Sequence, residues 1–170
     1  MKLNIWTKTT LYIYKYLDTI ADAIDKLIER QALNSFYYNQ ASAASSDVET
    51  VSNKIIELSQ RKINLINIKV AIDQSLMEMP QELAQLLIER YMDGERGEDI
   101  ALRHNFTFRT YFRRLLKAED FFSAVMASKG IDEKTLSQNL KQEKWVVDIY
   151  KSFLSRKIGE EASEEQLMMA

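Results

Sequence analysis

The sequence predicts an all-α protein: a long antiparallel helical hairpin followed by a C-terminal helical bundle that contains a helix-turn-helix. Three observations carry this. Glycine and proline are scarce, four and one in 170 residues, so there are few places for tight turns. Apolar residues recur at spacings of three and four over long stretches. No run alternates with period two between turn signals, as a half-buried strand would.

Residues 8–33 read as the first helix. Ile13, Leu17, Ile20, Ile24 and Leu27 form a heptad seam with polar residues between them. A Ser/Ala/Asn-rich connection is expected over 34–47, with Phe36, Tyr37 and Tyr38 either closing the hairpin end or offering a partner surface. A second helix is expected from about Asp47, where Ser46 and Glu49 have capping-box spacing. Its seam is Val48, Val51, Ile55, Leu58, Leu65, Ile72 and Leu76, interrupted by Lys62 and Lys69, which either set register or snorkel. Ile56, Ile63, Ile66 and Val70 widen the apolar face, so this helix should have a second neighbour, from the C-terminal region or from another copy of the chain. These elements make residues 1–79 an assembly or docking hairpin.

Pro80 ends that helix and opens the next, expected over 80–92 with Leu83, Leu86, Leu87 and Tyr91 inward. "DGERG" reads as a turn, 97–103 as a very short helix, and "HNF" as a tight turn with Asn105 left-handed. Thr107 is placed to cap a helix running to about Ala127, stopped by Gly130. Tyr111, Leu115 and Ala118 share its inward face. Asp132 caps a short helix through Leu140. A last helix covers 143–156 around Trp145, Val146, Ile149, Phe153 and Leu154, with Trp145 and Phe153 read as core. This divides the remainder into a helix-turn-helix region (80–128), packing helices (129–158) and an acidic tail (159–170) expected to be disordered.

The charge distribution points to function. Residues 1–79 balance, 80–102 carry six acids against two bases, and 119–170 are net −3. Residues 103–118, "RHNFTFRTYFRRLLKA", carry five cations and no acid. An anionic partner should meet the chain there. Short helix, tight turn and longer basic helix is the layout of a helix-turn-helix. Arg109, Arg113 and Lys117 form an i, i+4, i+8 row whose mutual repulsion an anionic surface would relieve. Thr107, Thr110 and the helix start add donors for phosphate.

Other chemistry finds no support. There is no cysteine and one histidine, so thiolate or histidine-rich metal sites are excluded. No phosphate loop, triad or cofactor motif occurs, and an enzyme is not expected. His104 reads as a turn residue rather than a catalytic base. The N-terminus lacks a signal-peptide layout and no run reaches membrane-span length, so a cytoplasmic protein without membrane contact is expected.

The stretch "MPQELAQLLIERYMDGERGEDIALRHNFTFRTYFRRLLKA", residues 79–118, resembles region 4 of the sigma-seventy family of bacterial sigma factors. The matching pieces are Met79-Pro80, the apolar helix from Leu83 to Tyr91, and the turn at Asp93-Gly94. Asp99-Ile100-Ala101, the turn from His104 to Thr107, and the helix from Thr110-Tyr111 to Lys117-Ala118 complete the series. The run Arg109-Thr110-Tyr111-Phe112-Arg113 is also similar to phage-type regulators of the ArpU kind. The resemblance covers about 40 of the 170 residues. It departs at His104, where the family has leucine, and at Asn105, where it has glycine. Nothing here resembles sigma region 2, so a full promoter-opening factor is not implied.

The resemblance implies sequence-specific binding of double-stranded DNA in transcription regulation, bacterial or phage. It places Phe108, Arg109, Phe112 and Arg113 nearest base edges, and Thr107, Arg114 and Lys117 on phosphates. RNA polymerase is the second partner it implies, and one short recognition helix calls for a homodimer or higher homo-oligomer. Two other classes fit the same pattern. One is an adaptor docking on protein as an anti-sigma or polymerase-binding module; the other is a phage DNA-packaging subunit of the small-terminase type.

Overall fold

A computed structural model describes residues 4–41 and 45–168, with side chains described over 4–37 and 48–156. Every regular element among these residues is helical. The order is α1 (Ile5–Ala41), α2 (Ser45–Glu78), α3 (Gln81–Leu87) continued by a π-helical turn (Ile88–Met92), α4 (Gly97–Arg103), α5 (Phe108–Ser128), α6 (Glu133–Leu140) and α7 (Lys144–Met168).

The chain divides into two compact units, and the division falls inside α1 and α2. One unit comprises residues 15–70, the other 1–14 and 71–170.

In the 15–70 unit, α1 and α2 run antiparallel. Leu17, Ile24, Leu58, Leu65 and Ile68 are buried along the seam. The two seam lysines are neither idle nor simply snorkelling. Lys62 Nζ lies 2.5 Å from Asp25 Oδ2, and Lys69 Nζ 2.5 Å from Asp18 Oδ2. Partners seven apart on each helix hold one antiparallel register. Leu27, expected on the seam, is 42% exposed.

The expected first-helix limits of 8 and 33 are too narrow. Asn4 caps the helix early, its Oδ1 accepting from Thr7 N at 3.1 Å. Beyond residue 33 no glycine or proline interrupts the chain, so helix continues through Asn34–Ala41. Most of the expected 34–47 connection is therefore helical. Phe36 and Tyr37 stand exposed on α1, edge to face at 6.2 Å. The side chain of Tyr38 lies outside the described residues. So does that of Ser46, which falls inside α2 rather than capping it.

In the other unit, the start of α1 is core. Trp6, Leu11 and Ile13 are buried, as are Thr7, Thr9 and Thr10. Thr9 and Thr10 donate to the carbonyls of Ile5 and Trp6, which removes the cost of burying their hydroxyls. Trp6 stacks on Tyr150 at 4.5 Å, and Tyr12 meets Phe153 edge-on at 5.7 Å, so α7 packs on this end of α1. Asn4 Nδ2 donates to Ser123 Oγ on α5 at 2.9 Å. Tyr14 donates to Asp73 at 2.6 Å. Leu83, Leu86, Leu87, Tyr91, Ile100, Tyr111, Leu115 and Ala118 are buried as expected, joined by Phe122, Met126, Leu136, Leu140 and Val146. Trp145 and Phe153 are half-buried rather than fully enclosed.

The predicted cap at Asp132 and stop at Gly130 hold. Asp132 Oδ1 accepts from Thr135 N at 2.8 Å and starts α6. Gly130 ends α5 at φ +77°, with Ile131 N bonded to Met126 O and Gly130 N to Ala127 O. The 80–92 helix departs from expectation by widening: Asp93 N reaches back to Ile88 O at 2.9 Å. The last helix also runs past 156, with helical backbone assigned through Met168 and into the expected tail.

Candidate nucleic-acid interface

The turn between α4 and α5 is built locally. Asn105 has φ +55°, a conformation that its short polar side chain tolerates. Phe106 N bonds to Ala101 O at 2.8 Å and Asn105 N to Leu102 O at 3.1 Å. This is the two-bond closure that ends helices at a left-handed residue. Thr107 Oγ1 then accepts from Thr110 N at 3.2 Å and starts α5. Two helix ends are thus satisfied within seven residues.

Two contacts lock α4 and its turn to their neighbours. A Cβ built on Gly97 would lie 2.7 Å from Tyr111 Cε1, so only glycine lets α4 approach α5 this closely. Second, His104 Nε2 lies 2.9 Å from Glu89 Oε2, and its ring stacks on Phe106 at 5.5 Å. Glu89 sits in the π-helical turn and is only 4% exposed. Gln85 Nε2 donates to it at 3.0 Å, and Arg103 Nη1 lies 3.4 Å away. Burial pushes the Glu89 carboxyl up, but the hydrogen bonds from Gln85 and His104 and the neighbouring His104 and Arg103 charges outweigh it. The carboxyl is held below the ordinary range.

A second buried acid shows the opposite balance. Glu119 accepts a 2.5 Å hydrogen bond from Tyr91 OH and lies 3.9 Å from Lys8. Burial dominates and raises the Glu119 carboxyl despite both partners. Burial likewise raises the Tyr91 phenol, and Glu119 adds to that. The Tyr111 hydroxyl is buried without a hydrogen-bond partner among the described residues.

The five cations of 103–118 sort into two groups. Arg103 binds Glu95 through both terminal nitrogens, at 3.1 and 2.5 Å. Arg114 lies 3.4 Å from Glu82 and stands 4.5 Å over the Phe106 ring. It is half-buried and borders an open cavity of about 610 Å³ with Gln81, Gln85, Leu86, His104 and Phe106. The phosphate role expected of Arg114 competes with these contacts. By contrast Arg109, Arg113 and Lys117 are exposed and have no acidic partner among the described residues.

Phe108 and Phe112 flank this row, 49% and 47% exposed, edge to face at 4.7 Å. Thr107 is exposed and Thr110 half-buried, their hydroxyls 2.9 Å apart. Seven of the eight expected contact residues therefore lie exposed or half-buried along the first half of α5 and its cap, and Arg114 turns toward α3. Sequence reasoning missed the Glu89 and Glu119 networks. Glu89 had a legible signal, an acid one helical turn after Gln85 on a helix whose other face is apolar.

Among the described residues no group of three or more acidic, histidine or cysteine side chains could hold a metal ion. No helix of the described residues is long and apolar enough to cross a membrane. No protein-family model matches the chain, and no solved structure matches it significantly.

Proposed function

We propose that the chain is a sequence-specific binder of double-stranded DNA acting in transcription regulation in the cytoplasm, with α5 as the helix that enters the major groove. The observation that carries the reading is the unpaired row Arg109, Arg113 and Lys117 beside the exposed Phe108 and Phe112. The other two cations of the stretch are neutralised by Glu95 and Glu82, while these three are left for an external anion. Arginine pairs bidentately with guanine, an aromatic edge meets a thymine methyl, and Lys117 and Thr107 are spaced for flanking phosphates. RNA polymerase and a second copy of the chain are the protein partners that fit such a regulator.

The adaptor reading draws on a different feature. Leu102 of α4 is 76% exposed next to the turn, which suits an apolar protein contact better than a phosphate.

Selection from random duplex DNA tests the proposal, with wild type beside an Arg109→Ala/Arg113→Ala/Lys117→Ala variant of unchanged helicity. The expected result is a defined motif that the variant loses. Each phosphate-bound cation removed should reduce the slope of log affinity against log salt by about 0.9. No enrichment by the wild type, or binding that the variant retains, overturns the reading. Binding to a protein partner that persists at high salt and falls on Leu102→Asp would favour the adaptor.

A further inference from the structure

Between residues 56 and 70, α2 carries a stripe with no charge on it. Ile56, Ile63, Ile66 and Val70 are 65%, 50%, 40% and 46% exposed. At about 100° per residue they fall within one side of the helix, with Ser59 between them and Gln60 and Asn67 along one edge. The segment does not lack charge: Glu57, Arg61, Lys62 and Lys69 all lie off the stripe. Leu58 and Leu65 face α1, and Lys62 and Lys69, on the edge between that seam and the stripe, are paired with Asp25 and Asp18. Charge has been segregated away from a face that α1 does not cover, and depletion of charge is the compositional mark of an interface core.

We infer that this stripe is a docking surface for the same stripe of a second copy of the chain. Three features select that occupant. Ile56, Ile63 and Val70 recur at intervals of seven, the repeat of helices that supercoil on one another. The stripe offers no charge, so a charged partner would find no complement, whereas its own copy matches it. Ile56 and Val70 also lie seven positions to either side of Ile63. A two-fold axis there sets Ile63 against Ile63 and Ile56 against Val70; a parallel in-register pair also sets Ile63 against Ile63. Fifteen residues span only about 22 Å at 1.5 Å each. At a helix width of about 10 Å that is on the order of 200 Å², well below the roughly 800 Å² per partner of a stable complex, so the contact is weak and concentration-dependent.

The inference stands apart from the DNA reading, and its test contains no DNA. The chain has no cysteine, so Ile63→Cys introduces a single thiol. Under mild oxidation Ile63→Cys should give several-fold more disulfide-linked dimer than Glu57→Cys, an exposed site about 120° round the helix. In sedimentation, the weight-average mass of wild type should rise toward that of a dimer with concentration. Ile63→Glu, with unchanged helicity, should stay monomeric. Wild type that remains monomeric throughout, equal cross-linking at both thiols, or an Ile63→Glu variant that still dimerises overturns the inference.

Discussion

His104 Nε2 and Glu89 Oε2 lie 2.9 Å apart, joining the turn of the helix-turn-helix to the buried π-helical turn that precedes α4. The partner of His104 is an acid 15 residues earlier. Removing the imidazole leaves a buried carboxylate one donor short. His104→Ala should therefore cost about 1.5–3 kcal/mol, as for hydrogen bonds to charged groups. Urea midpoints at neutral pH check this.

The same carboxyl sets a pH dependence. Because its folded-state pKa lies below the ordinary 4.5, Glu89 contributes stability that is present above about pH 4.5. That contribution is lost as pH falls through the lower folded value. The urea midpoint of wild type relative to Glu89→Gln should shrink as pH drops below 4.5, and a gap that stays constant would contradict it.

Glu119 predicts the reverse sign. Its folded-state pKa is raised, so the stability it contributes is full below 4.5 and is lost as pH rises through the folded value. Glu119→Gln keeps an oxygen to accept from Tyr91 and removes the buried charge. Relative to Glu119→Gln, wild type should weaken as pH is raised from 4.5 to neutrality. Paired denaturation curves across that interval decide it.

At the α4–α5 contact, Gly97→Ala should destabilise by about 1–3 kcal/mol, the usual cost of overpacking. The added methyl would sit 2.7 Å from the Tyr111 ring, which is itself 1% exposed and has little room to move. Tyr111→Phe removes a hydroxyl that has no partner among the described residues and should be neutral or stabilising. Thermal melts of the two variants, compared at the same pH, test both.

Asn105→Gly should be tolerated or slightly stabilising, since glycine adopts φ +55° freely. Asn105→Ala should cost about 1 kcal/mol, because it keeps the Cβ that meets the following carbonyl in that conformation and loses the short polar side chain that makes it tolerable. Equal stability of the two variants would show that the turn can be closed another way.

The all-helical class, the caps at Thr107 and Asp132, the stops at Asn105 and Gly130 and the inward face of α5 were legible in the sequence. Each rests on interactions within about five residues, where side-chain type and spacing suffice. The first helix extends past the expected limits at both ends, for two different reasons. Its start is held by contacts far along the chain, Asn4 by Ser123 and Trp6 by Tyr150, and residues 34–41 are helical because nothing breaks the helix rather than because a periodic face marks it.

What the sequence determined by itself is therefore local: where helices start and stop, which faces are apolar, and that one segment is basic. The tertiary structure decided which of those cations are available. Arg103 and Arg114 are compensated by acids 8 and 32 residues away, while Arg109, Arg113 and Lys117 are left exposed. Electrostatic pairing depends on distance through space, and that distance is set only when α3, α4 and α5 pack.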